Sequence, residues 1–196
     1  MKLYLFLPAA LLLAACSTAS NYSADRTGTT IANGDPGYIS SAPVIQITDK
    51  GLGPVGTGTP YGANSLQAAL PGFSFDTVQT ATGAEVTWLL TAFKDGQQQA
   101  QFEADASKKY VARVHVVGQE AAGPNGERLG MTFAQTGGKS RSCKPGHAEW
   151  IGMALCSDGA LTYVYAPPAY DNADGGLPPR ETLAQSRLVR IIWTAG

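Results

Sequence analysis

Charge is scarce in this chain. Of its 196 residues 15% are Asp, Glu, Lys or Arg, and 14 basic against 15 acidic side chains leave a formal net charge of -1. A nucleic-acid partner would need a basic face to neutralise phosphates, so that class is excluded. Cysteine is also sparse, at 3 residues, which excludes a disulfide-dense scaffold. Only His115 and His147 are available for general-base or imidazole-metal work. No apolar run approaches the roughly 20 residues of a hydrocarbon-spanning helix, and Leu3 to Ala15 is too short to span and stay. What the chain does have is 44% hydrophobic residues, 23 Gly and 12 Pro. That is enough apolar material for one domain of ordinary size, with many turns and none of the three-residue glycine period of collagen.

The N-terminal segment carries an address. Lys2, a short apolar stretch and small residues before a cut have the pattern of a secretory leader. Its end, Leu13-Ala14-Ala15-Cys16, resembles the bacterial lipobox, in which the chain is cleaved before the Cys and the Cys is acylated with chains such as palmitate. Ser17 follows where an Asp would mark inner-membrane retention, so the resemblance implies a lipoprotein of the outer membrane facing the periplasm. The alternative is a plain leader with a chance Cys. Each buried CH2 contributes about 0.8 kcal/mol, so a triply acylated Cys16 would hold firmly where one chain binds reversibly. Loss of Lys2 with residues 1–15 takes the net charge to -2, which offers no attraction to anionic headgroups, and the lipid must do the anchoring. Residues 16–42, the Cys and a Ser/Thr/Ala/Asn/Gly-rich stretch with a Gly34-Asp35-Pro36-Gly37 turn, read as a flexible tether. Asn21-Tyr22-Ser23 matches a glycosylation sequon that has no meaning in bacterial export.

Residues 43–196 are expected to form a single globular α+β domain, mainly antiparallel sheet with short helices. Val44 to Thr48 alternates as a strand does. Thr59-Pro60 would open a short helix whose apolar face is Leu66, Ala69 and Leu70, stopped by Pro71-Gly72. A meander follows, Phe73 to Thr80, Glu85 to Phe93 and Gln98 to Ala104, turning at Thr82-Gly83 and Asp95-Gly96. Tyr110 to Val117 is the next strand. Val114 to Val117 then resembles Val44 to Ile47, and Gly130-Met131-Thr132-Phe133 resembles Gly58-Thr59-Pro60-Tyr61. That pattern is either two related strand-turn-helix-strands units or a coincidence of weak identity. In the second stretch a helix is expected over Thr132 to Thr136, with strands at Glu149 to Cys156 and Leu161 to Tyr165. A Pro/Gly loop from Ala166 to Pro179, a helical piece at Glu181 to Gln185 and a strand from Leu188 to Trp193 close the chain. Strict alternation in that last strand would put Val189, Ile191 and Trp193 on one apolar face.

A family resemblance rests on several of these segments together. Asp49-Lys50-Gly51-Leu52-Gly53-Pro54-Val55, the Leu70-Pro71-Gly72 stop, Gly130 to Phe133, the Cys143 and Cys156 pair and Val189-Arg190-Ile191-Ile192-Trp193 look like the RpoE-regulated lipoprotein family. That group comprises small, largely uncharacterised envelope lipoproteins of Gram-negative bacteria with a domain of unknown function. The resemblance runs from about residue 44 to the C-terminus, plus the lipobox. It implies an envelope lipoprotein linked to cell-envelope stress, and it brings no catalytic residues.

Motif chemistry is thin. Gly51-Leu52-Gly53-Pro54-Val55-Gly56 fits G-x-G-x-x-G after a strand, but Thr57-Gly58-Thr59-Pro60 intervenes before any helix that could face a pyrophosphate. Gly138-Lys139-Ser140 lacks the first glycine of a P-loop, because Phe133 stands there. His147-Ala148-Glu149 with Cys156 hints at a zinc deaminase whose P-C-x-x-C half is missing. No G-x-S-x-G elbow occurs. Asp171-Asn172-Ala173-Asp174-Gly175-Gly176 misses calcium-loop spacing. No catalytic residue, cofactor or metal ligand is therefore assigned. Trp88, Trp150 and Trp193 are expected to pack on strands.

With Cys16 given to lipid, Cys143 and Cys156 form an even pair in an oxidising compartment, either a disulfide or two buried thiols. Two function classes remain. The favoured one is a non-catalytic module binding an envelope protein, glycan or lipid. The alternative is a periplasmic hydrolase with an unrecognised site, for which His147 and Glu149 would have to meet a Ser.

Overall fold

Alternating strand sequences build nearly everything in the fold. The computed structural model describes residues 45–82, 85–168 and 175–196, which fall within one unit, Gly37–Gly196. The leader, Cys16, the tether, Val44, Gly83 and Asp171 to Asp174 lie outside the described residues.

Three short strands, β1 (Ile45–Thr48), β2 (Gly51–Leu52) and β3 (Val55–Gly56), join β8 (Ala121–Ala122) in a small sheet of order β3-β2-β1-β8. The β1–β8 pair is parallel. The large sheet uses β4 (Ser74–Thr82), β5 (Glu85–Lys94), β6 (Gln97–Ala104), β7 (Val111–Val116), β9 (Ser142–Pro145), β10 (Ala154–Asp158), β11 (Leu161–Ala166) and β12 (Arg187–Thr194). Its order is β4-β5-β6-β7-β12-β11-β10-β9, antiparallel throughout. Two helices, α1 (Ala63–Ala69) and α2 (Arg180–Gln185), accompany the sheets. They are too short to form a layer, so the architecture is mainly β with helical additions, and the sheet-rich part of the α+β expectation is the part observed.

Cross-strand partners show how the faces separate. Phe75, Ala92, Ala100, Val116, Ile191, Tyr163, Cys156 and Cys143 form one continuous row across the large sheet. This row faces the core, where Ile47, Leu52, Leu66, Leu70, Phe102, Val114 and Trp193 pack with it. The next row, Asp76, Thr91, Gln101, His115, Ile192, Thr162, Ser157 and Ser142, faces the other way and is largely polar. Trp193 Nε1 donates to the Asp49 carbonyl at 2.9 Å, tying the small sheet to the centre of the large one.

Several expectations need correction. Strict alternation fails in β12 because a bulge interrupts its pairing with β11: Tyr165 pairs with Leu188 but Val164 with Arg190. The extra residue shifts parity, so Leu188 is buried and Val189 is 38% exposed. Thr59-Pro60 does not open the helix. The Thr59 hydroxyl accepts from the Gly56 N–H, its carbonyl accepts from Val111, and Pro60 bridges Tyr110, which holds the chain extended until Ala63. Leu66 and Leu70 are nonetheless the buried face. No α-helix forms at Thr132 to Thr136, because Thr132 bridges Arg187 and Gly137 turns left-handed at φ 65°. The strand expected at Glu149 begins only at Ala154, since Ala148 and Gly152 both take positive φ, and β9 precedes it. Asp95 and Gly96 both have positive φ, as a two-residue hairpin turn requires.

The expected repeat is matched at one pair of motifs and not at the other. Pro60 bridges Tyr110 just before β7, and Thr132 bridges Arg187 at the start of β12, so those two motif positions play the same part. The other pair does not correspond: β1 lies in the small sheet and β7 in the large one.

Cys143 and Cys156 are disulfide-bonded across β9 and β10. Their sequence separation of 13 corresponds to about 3 kcal/mol in the chain-entropy account. Reduction, or replacement of both by Ser, should lower unfolding stability by about that amount, read by denaturant midpoint, while thiol labelling of the native chain finds no free Cys among the two.

The G-x-G-x-x-G run is a steric device. A Cβ on Gly51 would lie 1.9 Å from the Val55 carbonyl oxygen, and one on Gly56 would lie 2.2 Å from that of Lys50. Gly56→Ala should therefore cost about 2 kcal/mol or more, because backbone has to move, and urea unfolding measures it.

Candidate functional site

Two polar clusters stand out, and they differ in what they leave unsatisfied. The first is buried. Glu127 and Arg141 form an ion pair whose side chains are almost fully enclosed. Arg141 Nη1 donates to the Thr136 carbonyl at 2.8 Å and to the Tyr165 hydroxyl at 3.2 Å, and its guanidinium lies 3.7 Å from the Tyr163 ring centroid. The Tyr165 hydroxyl shares a 2.6 Å bond with Thr136 Oγ1. Glu127 accepts from the Asn125 backbone N–H at 2.9 Å and from the Asn125 amide at 3.3 Å. Burial pushes the Glu127 carboxyl up, but its own backbone N–H, Asn125 and the Arg141 charge together hold it below the ordinary range. Burial raises both Tyr163 and Tyr165. A cavity of about 270 Å³ adjoins this network, with Asp158 Oδ2 3.8 Å from Arg141 Nε. Most groups here are spent on one another, but the buried Arg141 Nε has no hydrogen-bond partner among the described residues.

The second cluster is a groove of about 580 Å³ on the polar face of the large sheet. Its floor follows from strand register: Gln101 and Glu103 on β6, Arg113 and His115 on β7, and Arg190 on β12 all sit at alternate positions and share a face. Glu103 accepts from Arg113 Nη1 at 2.7 Å through one oxygen and meets His115 Nε2 at 2.6 Å through the other. The His115 hydrogen bond holds the Glu103 carboxyl below the ordinary range against its burial, with the Arg113 charge helping. Arg190 Nη1 lies 3.4 Å from both Gln101 Oε1 and His115 Nδ1. A guanidinium can only donate, so Nδ1 accepts and Nε2 carries the proton given to Glu103. Both ring nitrogens of His115 are thus occupied.

The rim supplies different chemistry. Trp88 on β5 is 60% exposed, and Trp150, in a 3-10 turn (Ala148–Trp150), lies with its ring 5.1 Å from the Arg190 guanidinium. Burial lowers Arg190, while the Glu103 and Glu149 charges oppose the shift. Glu149 lines the groove beside Trp150, yet it closes no ion pair or side-chain hydrogen bond among the described residues. Asp105 and Lys108 come from the β6–β7 loop. The Asp105 carboxylate accepts from the Ser107 hydroxyl at 2.7 Å and from the Lys109 N–H at 2.9 Å.

The sequence candidates fall out as follows. Cys143 and Cys156 are joined, and Cys16 lies outside the described residues. His115 is in the groove, whereas His147 is exposed and does not line it. Gly138 to Ser140 is a 3-10 turn. Among the described residues no three metal-capable side chains gather. Trp193 packs in the core as expected and Trp150 lies against Arg190 in the groove, whereas Trp88 borders the groove from the face of β5 that carries Leu90 and Ala92. Glu103, Arg113 and Arg190 were not singled out as site residues by sequence, and Glu149 was singled out only beside His147, which lies outside the groove. The usable signal was charged or polar residues two apart on consecutive strands.

The buried pair makes a quantitative prediction. Arg141→Met should cost about 3–5 kcal/mol by stranding the Glu127 carboxylate, and the double variant with Glu127→Gln should recover part of it. Because Glu127 and Glu103 titrate lower when folded, the unfolded chain takes up protons first. Stability should hold above the ordinary carboxylate value of 4.5 and fall as pH drops below it, less steeply in Glu127→Gln. Denaturant titrations between neutral and acid pH measure both.

Comparison with known proteins adds kinship without a task. A search of curated proteins found no match. The crystal structure of the uncharacterized protein yfeY from Escherichia coli is similar, with a TM-score of 0.60 at 16% identity over 76% of this chain and 99% of that one. At that identity the likeness concerns the fold alone. A family model described as "Protein of unknown function (DUF1131)" matches residues 37–195, and the chain belongs to that family.

Proposed function

We propose that the chain is a non-catalytic binding module of the bacterial envelope. In this reading acylated Cys16 anchors it to the outer membrane, residues 17–42 tether it, and the domain faces the periplasm with the sheet groove as its ligand site. The observation that carries the binding role is the groove lining: exposed Trp88, Trp150 and an open Glu149 around a floor of Arg113, His115 and Arg190. Binding sites combine such aromatic surface with a few fixed polar groups. A tether raises local concentration at the membrane without adding contacts. Acylation and placement rest on the Leu13-Ala14-Ala15-Cys16 pattern.

A periplasmic hydrolase would need a nucleophile beside a free base. Among the described residues neither Ser nor Cys lines the groove, its hydroxyls being those of Thr80, Thr87 and Tyr61, and the lone pair of His115 is engaged by Arg190. Those two facts weigh against the alternative, as does the placement of His147 outside the groove.

In a deletion strain, His147→Ala should rescue every phenotype and Trp88→Ala should not. Rescue by Trp88→Ala together with failure of His147→Ala would favour catalysis instead. Intact mass of the native product should begin at Cys16 with acyl chains attached; a retained leader and bare thiol would remove the envelope placement.

A further inference from the structure

Resting on the binding reading above, we propose that the groove ends in a fork between β5 and β6 that takes an extended peptide as an added strand. The peptide pairs with the open edge of β5 and carries a carboxylate at its outer end, beside Lys108.

The fork has a visible cause. Pairing of β5 with β6 runs from Lys94 and Gln97 to Leu90 and Phe102 and stops there, although β5 continues against β4 as far as Glu85. At the last pair the Tyr61 hydroxyl stands between the strands. It accepts from the Leu90 N–H at 3.1 Å and donates to the Phe102 carbonyl at 3.3 Å. Those two legs replace one ladder bond of about 2.9 Å and hold the strands apart. Backbone groups alternate sides along a strand, so with the Leu90 N–H aimed at β6, those of Trp88 and Val86 point into the same gap. The cross-strand partner of Leu90 agrees: the Thr77 N–H turns away from β5 and is taken by Asp76 Oδ1 at 2.7 Å. Among the described residues nothing pairs with the Val86 and Trp88 backbone on the β6 side.

Such an edge constrains its occupant. Open N–H and C=O groups recur at every second residue, about 7 Å apart, a repeat that another extended backbone matches. Side chains then select the kind of strand. Val86 and Trp88 lie on the face of β5 that carries Leu90 and Ala92, and are 56% and 60% exposed. Thr87 lies on the opposite face with Thr91. An added strand therefore meets apolar surface on one side and polar surface on the other. Its residues that exchange hydrogen bonds with Val86 and Trp88 also place their side chains beside theirs. Charge sets the outer end. Running antiparallel to β5, the strand leaves the fork beside the β6–β7 loop, where Lys108 lines the groove with no ion-pair partner among the described residues. Asp105, in the same loop, is already engaged by Ser107 and Lys109. The chain itself enters the domain at the far end of β5, where Ile45 donates to the Glu120 carbonyl and Glu120 pairs with Lys94. That placement favours a segment of another polypeptide over the tether.

The test uses the full chain in detergent, with acetyl-Val-Thr-Val-Thr-Val bearing a free carboxyl end as probe, followed by amide hydrogen exchange and calorimetry. In the free chain the Val86 and Trp88 amides should exchange at least about a hundredfold faster than that of Ala92, and the probe should slow both. N-methylation of the probe's valines, or Trp88→Ala, should weaken binding at least about tenfold. Amidation of its carboxyl end, or Lys108→Gln, should weaken it about threefold. Thermal midpoints should hold in both variants, because both side chains are exposed. Slow exchange at Val86 and Trp88 in the free chain, a probe that leaves them unprotected, binding indifferent to valine N-methylation, or equal affinity of acid and amide would each overturn the proposal. None of those results touches the binding module itself, which falls only if Trp88→Ala rescues the deletion strain.

Discussion

The pairing of the last strand with β7 is the constraint on which the rest of the fold depends. β12 enters between β7 and β11 and joins a run of four antiparallel strands, β4 to β7, to a run of three, β11 to β9, in one sheet. Its residues serve both faces. Leu188, Ile191 and Trp193 fill the core, and Trp193 reaches the Asp49 carbonyl of the small sheet. Arg190, on the opposite face, lies beside β7 and reaches His115 and Gln101. Without that strand the core would lose its largest buried side chain and the groove its donor edge. Core and candidate site are therefore set by one register, which a slip of one residue would invert.

The bulge in β12 shows how finely that register is set. It exposes Val189 and leaves Arg190 in step with His115 rather than with the core. A regular strand would have buried Leu188 and Ile191 on opposite faces. Bulges recur near functional sites because one extra residue re-aims a side chain. In this sheet the re-aimed residues are Leu188 and Val189, while Arg190 keeps the alternation that continues to Ile192, the partner of His115.

Much of the fold was legible because strands announce themselves by alternation. The meander from β4 to β6, the Asp95-Gly96 turn, the buried face of α1 and the closing strand all follow from local pattern. What was not legible came from partners distant in sequence. Thr59-Pro60 looks like a helix start, but Tyr110 and Val111 hold it extended. Thr132 looks like another, and Arg187 claims it. Trp88 and Trp150 read as packing residues because burial depends on whether another layer covers that end of the sheet, which no local window encodes. Four side chains of the site could be singled out by type, His115, Glu149 and the two tryptophans; Glu103, Arg113 and Arg190 emerged from strand order, which places them together.

The contrast between the two polar clusters bears on what the domain can do. Around Arg141, carboxylate, hydroxyls, carbonyl and an aromatic face close upon each other and order the region under β9 to β11, with the buried Nε left as the unpartnered donor. In the groove, satisfaction stops at the floor. Glu103 ties Arg113 to the Nε2–H of His115, and Arg190 engages the Nδ1 lone pair a general base would use. The same arrangement gives the floor a fixed geometry, since neither Arg113 nor His115 can turn without unmaking a charged contact. A rigid floor with an unfilled donor and acceptor at its rim suits recognition of a ligand that brings its own hydrogen bonds. The imidazole that lines the groove is engaged at both nitrogens, so the acceptor left open at that rim is the Glu149 carboxylate.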